Sequence, residues 1–221
     1  MTRGGAPPVL AGPAGGDGVP YLCMGPEQGH RSRSGTGEGR RMSSIYTGRG
    51  DDGTSSLADG RRLAKDHPRF ELLGCLDETN SLIGAARHPI IDNEIDAMLE
   101  FLQHRLLNCG VMAAGADEGP RVTDDDVRVL EAAIDRLTAR SAGFEGFILP
   151  GGDDTSAPLH VARASMRRAE RAASRVMAIE DLDTALMAFL NRAGDLLYAA
   201  ARSVGAGNDI PWRPDAEPPK P

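Results

Sequence analysis

Cysteine is scarce in this 221-residue chain: Cys23, Cys75 and Cys109 are the only three, and they stand far apart. That is too few for a disulfide framework and the wrong spacing for a zinc site, so a reduced, cytoplasmic protein is expected. Lysine is scarcer still, with Lys65 and Lys220 set against 23 Arg, and aromatic residues make up only 4%. No apolar run approaches the roughly 18 residues that a membrane span requires. Strand-like alternation is missing over any useful length. No Ser/His/Asp or Cys/His set suggests a protein nucleophile, and no Gly-Lys-Ser/Thr closes a Walker A loop. Glu-x-x-His pairs on facing helices, the mark of metal-carrying bundles, are also missing: Glu27-Gln28-Gly29-His30 lies in the Gly/Pro-rich tail and no helical stretch carries one. The net charge is −7, and the body of the chain is more acidic than that, because the first 40 residues carry +1. An acidic body argues against a nucleic-acid partner.

What is present divides in two. Residues 1–40 hold 11 of the 27 Gly and 5 of the 15 Pro, with no periodicity. This composition predicts a disordered tail over 1–41, without the apolar segment of a secretory signal. A folded domain is expected over 42–215 and a Pro-rich end over 216–221. Within the domain the signal is helical. Apolar residues recur at a 3.6-residue period through Phe70–Arg87, Asn93–Ala114, a stretch opened by Thr123, a stretch from Leu159 to Val176, and Leu186–Ala200. Five amphipathic helices joined by short loops predict an all-α, five-helix bundle.

Chemistry concentrates in three segments. Thr47-Gly48-Arg49-Gly50-Asp51-Asp52-Gly53-Thr54-Ser55-Ser56 is rich in Gly and hydroxyls, so its backbone N–H groups can approach an anion closely. Lys65 follows, a compact cation in an Arg-dominated chain and well suited to a phosphate oxygen. In the second segment Arg163, Arg167, Arg171 and Arg175 recur every four residues, with Arg168 beside them. That spacing makes a ridge of like charge along one helix face, with Glu170 the only acid on the helix. A polyphosphate, or acids such as Asp77 and Glu78 from another helix, would relieve the repulsion. The third segment, Phe147-Ile148-Leu149-Pro150-Gly151-Gly152, is an apolar loop whose Phe could plug the bundle end or wall a ligand pocket. Asn191 on the last helix faces away from Leu186 and Leu197, towards the same region.

These segments together resemble the PduO-type ATP:cob(I)alamin adenosyltransferases. The resemblance runs through Ile45-Tyr46-Thr47, Gly50-Asp51-Asp52-Gly53-Thr54, Lys65-Asp66-His67-Pro68-Arg69 and Asp77-Glu78-Thr79-Asn80-Ser81. It continues through Phe147–Gly152, Leu159–Arg163, Arg167–Arg171, Leu190-Asn191-Arg192 and Trp212-Arg213-Pro214. It implies a ferritin-like, cobalamin adenosyltransferase-like bundle that assembles as a homotrimer with the active site between subunits. The implied reaction moves the 5′-deoxyadenosyl group of ATP to cob(I)alamin and releases triphosphate. The implied ATP site comprises Thr47, Gly48, Arg49, Gly50, Ser55, Ser56, Lys65, Arg167, Arg168, Ala169, Glu170, Arg171 and Asn191. Phe147 would face the corrin where the lower axial ligand leaves, and Arg163 would pair with Asp77 of a neighbouring subunit. Phe147, Arg167, Asp77 and Arg163 are therefore the implied catalytic set. Mg²⁺ would travel on the ATP phosphates and not on protein ligands. A reductase would supply cob(I)alamin, and an adenosylcobalamin-dependent enzyme would receive the product. The alternative is a non-catalytic relative that binds ATP or adenosylcobalamin. A histidine-ligated mode is not expected, because no Asp-x-His-x-x-Gly signature occurs. Gly48-Arg49 departs from the family loop by moving the basic residue one place later. Thr79 and Cys75-Leu76 are read as packing changes. Gly194, inside the last helix, is expected to cost about 1 kcal/mol relative to Ala.

Overall fold

The computed structural model describes residues 48–141, 146–205 and 207–218. The tail, Ile45, Tyr46 and Thr47 lie outside them. Five helices form: α1 (Pro68–Arg87), α2 (Asn93–Ala113), α3 (Asp124–Arg140), α4 (Ser156–Met177) and α5 (Thr184–Val204). Each starts where a side chain can satisfy the first free backbone N–H groups. His67 caps α1 ahead of Pro68, Asp92 caps α2, and Asp183 caps α5. Thr123 and Asp126 form a reciprocal capping box on α3, as the run of acids behind Thr123 predicts. At α4 the cap residue Thr155 contributes no side-chain bond. Instead Asp153 accepts from the backbone N–H groups of Thr155 and Ser156 at 3.0 and 2.9 Å. Hydrogen bonds from Thr155 and Ser156 hold the Asp153 carboxyl far below its usual range.

One departure from the all-helical expectation comes before α1. Two three-residue strands, β1 (Thr54–Ser56) and β2 (Arg62–Ala64), pair antiparallel, with Ser55 opposite Leu63. Three residues are too few for alternation to show in sequence. The hairpin is anchored from outside by Ala58 N–H, which donates to the Ala114 carbonyl at 3.0 Å. The bundle itself is layered around α4 and α5. Helix α1 packs on α4 and α2, and α5 packs on α4 and α3. Leu72, Leu76, Ile83, Leu99, Leu106, Leu130, Leu159, Met166, Phe189 and Leu197 are fully buried in one continuous core. Where α4 packs on α5, buried small residues are frequent on both helices, Ala162, Ala169 and Ala173 on one and Ala193 and Ala200 on the other. Thr79 does pack, in a polar way: its hydroxyl bonds the Cys75 carbonyl at 2.7 Å and Ser165 Oγ at 2.8 Å.

Buried Arg69 ties three chain segments together. It donates to the Ala113 carbonyl at 2.8 Å, to the Asp181 carbonyl at 3.2 Å and to Glu180 at 2.6 Å. Arg61 of the hairpin reaches the same Glu180 at 3.0 Å. These bonds, Arg61 first, pull the Glu180 carboxyl down to about 2.

Candidate functional site

The Gly-rich segment is an ordered turn that the hairpin holds in place. Gly48 takes a positive φ of 68°, a conformation glycine adopts without steric cost. Asp52 then accepts from Thr54 N–H at 2.9 Å and from its hydroxyl at 2.7 Å. Arg62, on the opposite strand, donates to Asp52 and to the Arg49 carbonyl. Those bonds lower the Asp52 carboxyl to about 2, with the Thr54 hydroxyl the largest influence. The turn thus stays pinned whatever Arg49 does. Lys65 comes back beside it: its N–H donates to the Gly53 carbonyl at 2.9 Å. A Cβ at position 50 would lie 3.2 Å from Lys65 Nζ, so Gly50 leaves the space that the ammonium occupies. Ser55 is buried and Ser56 half-buried on β1. Gly48, Gly50, Ser55, Ser56 and Lys65 are therefore one cluster, with exposed Arg49 on its rim; Thr47 lies outside the described residues.

A second cluster forms where α4 meets α5. Arg167 pairs with Glu170 at 3.0 Å, and Asn191 Nδ2 donates to the other Glu170 oxygen at 3.0 Å. Arg192 donates to Asn191 Oδ1 at 2.8 Å, which fixes the orientation of the amide. Glu170, the only acid on the ridge, thus offsets one of its charges from within the same helix. Glu78 of α1 offsets a second by pairing with Arg168. Ala169 is fully buried between these charged neighbours. Among the described residues Arg171 and Arg175 make no ion pair or hydrogen bond. Gly194 explains itself here: a Cβ there would stand 3.2 Å from Arg167 Cδ. The missing side chain is the seat across which the Arg167 stem lies.

Further towards the N-terminal end of α4, Arg163 lies over the Tyr198 ring, 5.9 Å from its centroid. Its Nε is buried without a hydrogen-bond partner. His160 is buried edge-on to the same ring at 6.2 Å, and burial pushes its pKa below the ordinary value. Asp77 is half-buried on α1.

Phe147 is not a plug. Its side chain is 76% exposed, and it meets the ring of Trp212 edge-on at 6.1 Å. Two backbone hydrogen bonds and an antiparallel bridge between Ile148 and Pro211 join this loop to the segment that follows α5. With exposed Leu149 and Ile210 the two rings form an apolar surface that no part of the described chain covers.

The predicted residues therefore fall into separate groups. Among the described residues no hydrogen bond or ion pair links the hairpin cluster to Arg167, Glu170 and Asn191. The sequence reading missed three contributors: Gly194, recorded only as a cost, Tyr198 beneath Arg163, and Trp212, quoted without a role. The four-residue spacing from Gly194 to Tyr198, one helical turn, is the signal that places both on the α5 face towards α4.

The family model for cobalamin adenosyltransferase matches residues 45–204. The corrinoid adenosyltransferase PduO of Salmonella typhimurium is 38% identical over 164 residues, 72% of this chain, and the chain spans about half (49%) of that relative's length. The corrinoid adenosyltransferase of Bacillus subtilis is 38% identical over 172 residues, covering 75% of this chain and 89% of its own. Its counterpart in Mycobacterium tuberculosis is 36% identical over 189 residues, or 80% and 96% of the two chains. A variant PduO-type ATP:corrinoid adenosyltransferase from Lactobacillus reuteri, solved with cobalamin and ATP, superposes with a TM-score of 0.73 at 31% identity. That match covers 77% of this chain and 97% of the other.

Proposed function

The chain belongs to the cobalamin adenosyltransferase family and is an ATP:corrinoid adenosyltransferase, and from that premise we propose how its own residues carry the reaction. The observation that carries the reading is the uncompensated cation ridge on α4. Five arginines stand there, two are matched by Glu170 and Glu78, and Arg171 and Arg175 are left without an acid among the described residues. A triphosphate is the leaving group whose charge such a surplus fits.

The electron pair on Co(I) attacks C5′ of ATP. The Co–C bond forms as the C5′–O bond breaks, and that bond's electrons leave on the triphosphate. No protein nucleophile or proton donor enters the balance, so the work of the residues is positioning and charge neutralisation. Arg167 and Arg171 take phosphate oxygens, with Arg168, Ala169 and Glu170 as the intervening turn of the site. Glu170 aims Arg167 and Asn191. Gly48, Arg49, Gly50, Ser55, Ser56 and Lys65, with Thr47, receive the remainder of the nucleotide. Among the described residues no hydrogen bond or ion pair joins the hairpin to the ridge, which supports a site assembled from neighbouring subunits of a homotrimer. The unpartnered Nε of Arg163 supports its pairing with Asp77 of such a neighbour. Phe147 presents its ring to the corrin face from which the lower axial ligand departs. A four-coordinate cobalt results, because a hydrocarbon ring cannot replace the ligand and excludes water.

Residues for Mg²⁺ do not fit. Glu170, the acid on the ridge, is occupied by Arg167 and Asn191, and no group of three or more candidate ligands occurs among the described residues. The ion therefore rides on the triphosphate, and no step is assigned to it. No helix among the described residues is long and apolar enough to cross a membrane. A reducing cytoplasm suits the buried free thiols Cys75 and Cys109. A separate reductase supplies Co(I), and an adenosylcobalamin-dependent enzyme takes the product. The test is adenosylcobalamin formation from ATP and chemically reduced cobalamin, with triphosphate measured in parallel. Equal amounts of both products are expected. Tight binding of ATP and cobalamin without either product would replace the reading with that of a carrier.

A further inference from the structure

Phe147 poses a mechanical problem. A ring that is 76% exposed cannot be held in place by burial, because almost none of its surface touches the core. The loop that carries it follows Gly146, whose φ of 104° is open to glycine because it has no Cβ, and a glycine brings no side chain to brace the ring. Yet an aromatic ring that must keep one face of a corrin free of ligands needs a defined position.

The segment after α5 supplies it. Leu149 N–H donates to the Ile210 carbonyl at 2.9 Å, and Trp212 N–H donates to the Phe147 carbonyl at 2.7 Å. Together with the bridge between Ile148 and Pro211, they make a short antiparallel ladder that lays Trp212 against Phe147. A ladder this short does not hold itself. Its own fixed point is the residue immediately before it: Arg202 Nε meets the Asp209 carboxylate at 2.6 Å, with the two side chains only 8% and 25% exposed. Arg202 belongs to α5, where Tyr198 Oη accepts from its Nη1 at 3.4 Å. Asn208 adds a bond to Asp153 at 3.3 Å, the same carboxylate that caps α4. The path from rigid helix to exposed ring is continuous.

We propose that residues 207–212 act as a strap that positions Phe147, with the Arg202–Asp209 ion pair as its anchor. Asp209 and Arg202 are positioning residues; neither touches the corrin. The inference rests on the reading that Phe147 faces the corrin, and the test separates the two. Truncating Asp209 removes the ion pair that ties residue 209 to α5, and the strap swings free of the helix. Trp212, the chain's only tryptophan, reports on the strap directly.

Five full-length proteins are compared: wild type, Asp209→Ala, Asp209→Glu, Phe147→Ala and the Phe147→Ala/Asp209→Ala double variant, each with cob(II)alamin and ATP. In Asp209→Ala the four-coordinate Co(II) signal in EPR and absorption is expected to fall about ten-fold, while the KM for ATP stays within about two-fold. Acrylamide quenching of Trp212 should rise even without ligands. Asp209→Glu should recover about half of the signal, since charge and reach are retained. Adding Asp209→Ala to Phe147→Ala should cost nothing further, because both act through one ring. If Phe147→Ala keeps the signal, the corrin reading fails and the strap with it. If Phe147→Ala loses the signal and Asp209→Ala keeps it, the strap alone is overturned. Should Asp209→Ala fail to fold, Asp209→Asn, which keeps the shape and loses the charge, carries the same comparison.

Discussion

Replacing Gly194 by Ala sets two forces against each other that the structure lets one weigh. In a helix interior the change favours folding by about 1 kcal/mol, because Ala gives up less backbone freedom than Gly. The new methyl would stand 3.2 Å from Arg167 Cδ and 3.8 Å from Met166 Cγ. The closer contact is a few tenths of an ångström inside ordinary van der Waals distance, and the atom it meets belongs to a flexible stem. The fold yields cheaply, so the melting temperature should hold or rise by a few degrees. The site yields differently. The Arg167 guanidinium is bonded to Glu170 at 3.0 Å, and Asn191 holds the other oxygen of that carboxylate, so the fork cannot follow the stem without lengthening a bond. Losing part of a charge-assisted bond worth about 1.5–3 kcal/mol amounts to roughly three- to ten-fold in kcat/KM. The assay pairs a thermal melt with steady-state kinetics in ATP at saturating reduced cobalamin. A variant that is more stable and kinetically unchanged would show that the Arg167 stem has slack and that Gly194 is not its seat.

Arg167→Ala should lower kcat/KM for ATP by roughly ten- to a hundred-fold in the same assay. Its melting temperature should barely move, because a half-exposed pair with Glu170 contributes at most about 1 kcal/mol. If the proposed intersubunit pairing holds, exchanging the charges of Asp77 and Arg163 should restore part of the assembly and activity that either single change loses, read by light scattering and turnover; additive losses would separate the residues. The Glu180 carboxyl, lowered to about 2 by Arg61 and Arg69, favours folding above its ordinary value near 4.5. That contribution is lost as pH falls from about 4.5 towards 2. Acid-unfolding curves of wild type and Glu180→Gln should therefore converge in that window, with a gap on the order of 2 kcal/mol above it.

The helices were legible because their apolar periodicity and caps agree: Thr123 with Asp126, and the stripe of Ile95, Leu99, Leu102 and Leu106, lie where the pattern puts them. The hairpin was not legible, since its three-residue strands are shorter than two alternation periods and its stability comes from contacts to Asp52, Ala114 and Glu180. The Arg ridge was visible as spacing, but its neutralisation was only half visible. Glu170 is three residues from Arg167 and could be counted; Glu78 meets Arg168 only because α1 packs on α4. The exposure of Phe147 was out of reach, because an apolar residue in a loop reads alike whether it fills a core or meets a ligand. Gly194 was misjudged for a related reason: propensity prices the backbone alone, and the gain is the space given to a side chain on another helix.

The features left unsatisfied within one chain point the same way. Among the described residues Arg171 and Arg175 lack acids, Arg163 Nε lacks an acceptor, no hydrogen bond or ion pair joins the hairpin cluster to the ridge, and two aromatic rings stand in solvent. Folding alone would favour removing each of these, since like charges every four residues repel and exposed apolar surface is wasted. Their survival together fits a chain whose folded state is unfinished until a polyphosphate, a corrin and a second subunit supply the missing partners. The same surplus sets a physical consequence. Charge that is balanced only by substrate is screened by salt, so ATP affinity should weaken with ionic strength, while the Phe147 surface, held by apolar contact, should not. A salt series on the KM for ATP and on the affinity for cob(II)alamin distinguishes the two modes. Parallel loss of both would mean that the corrin too is bound through the ridge.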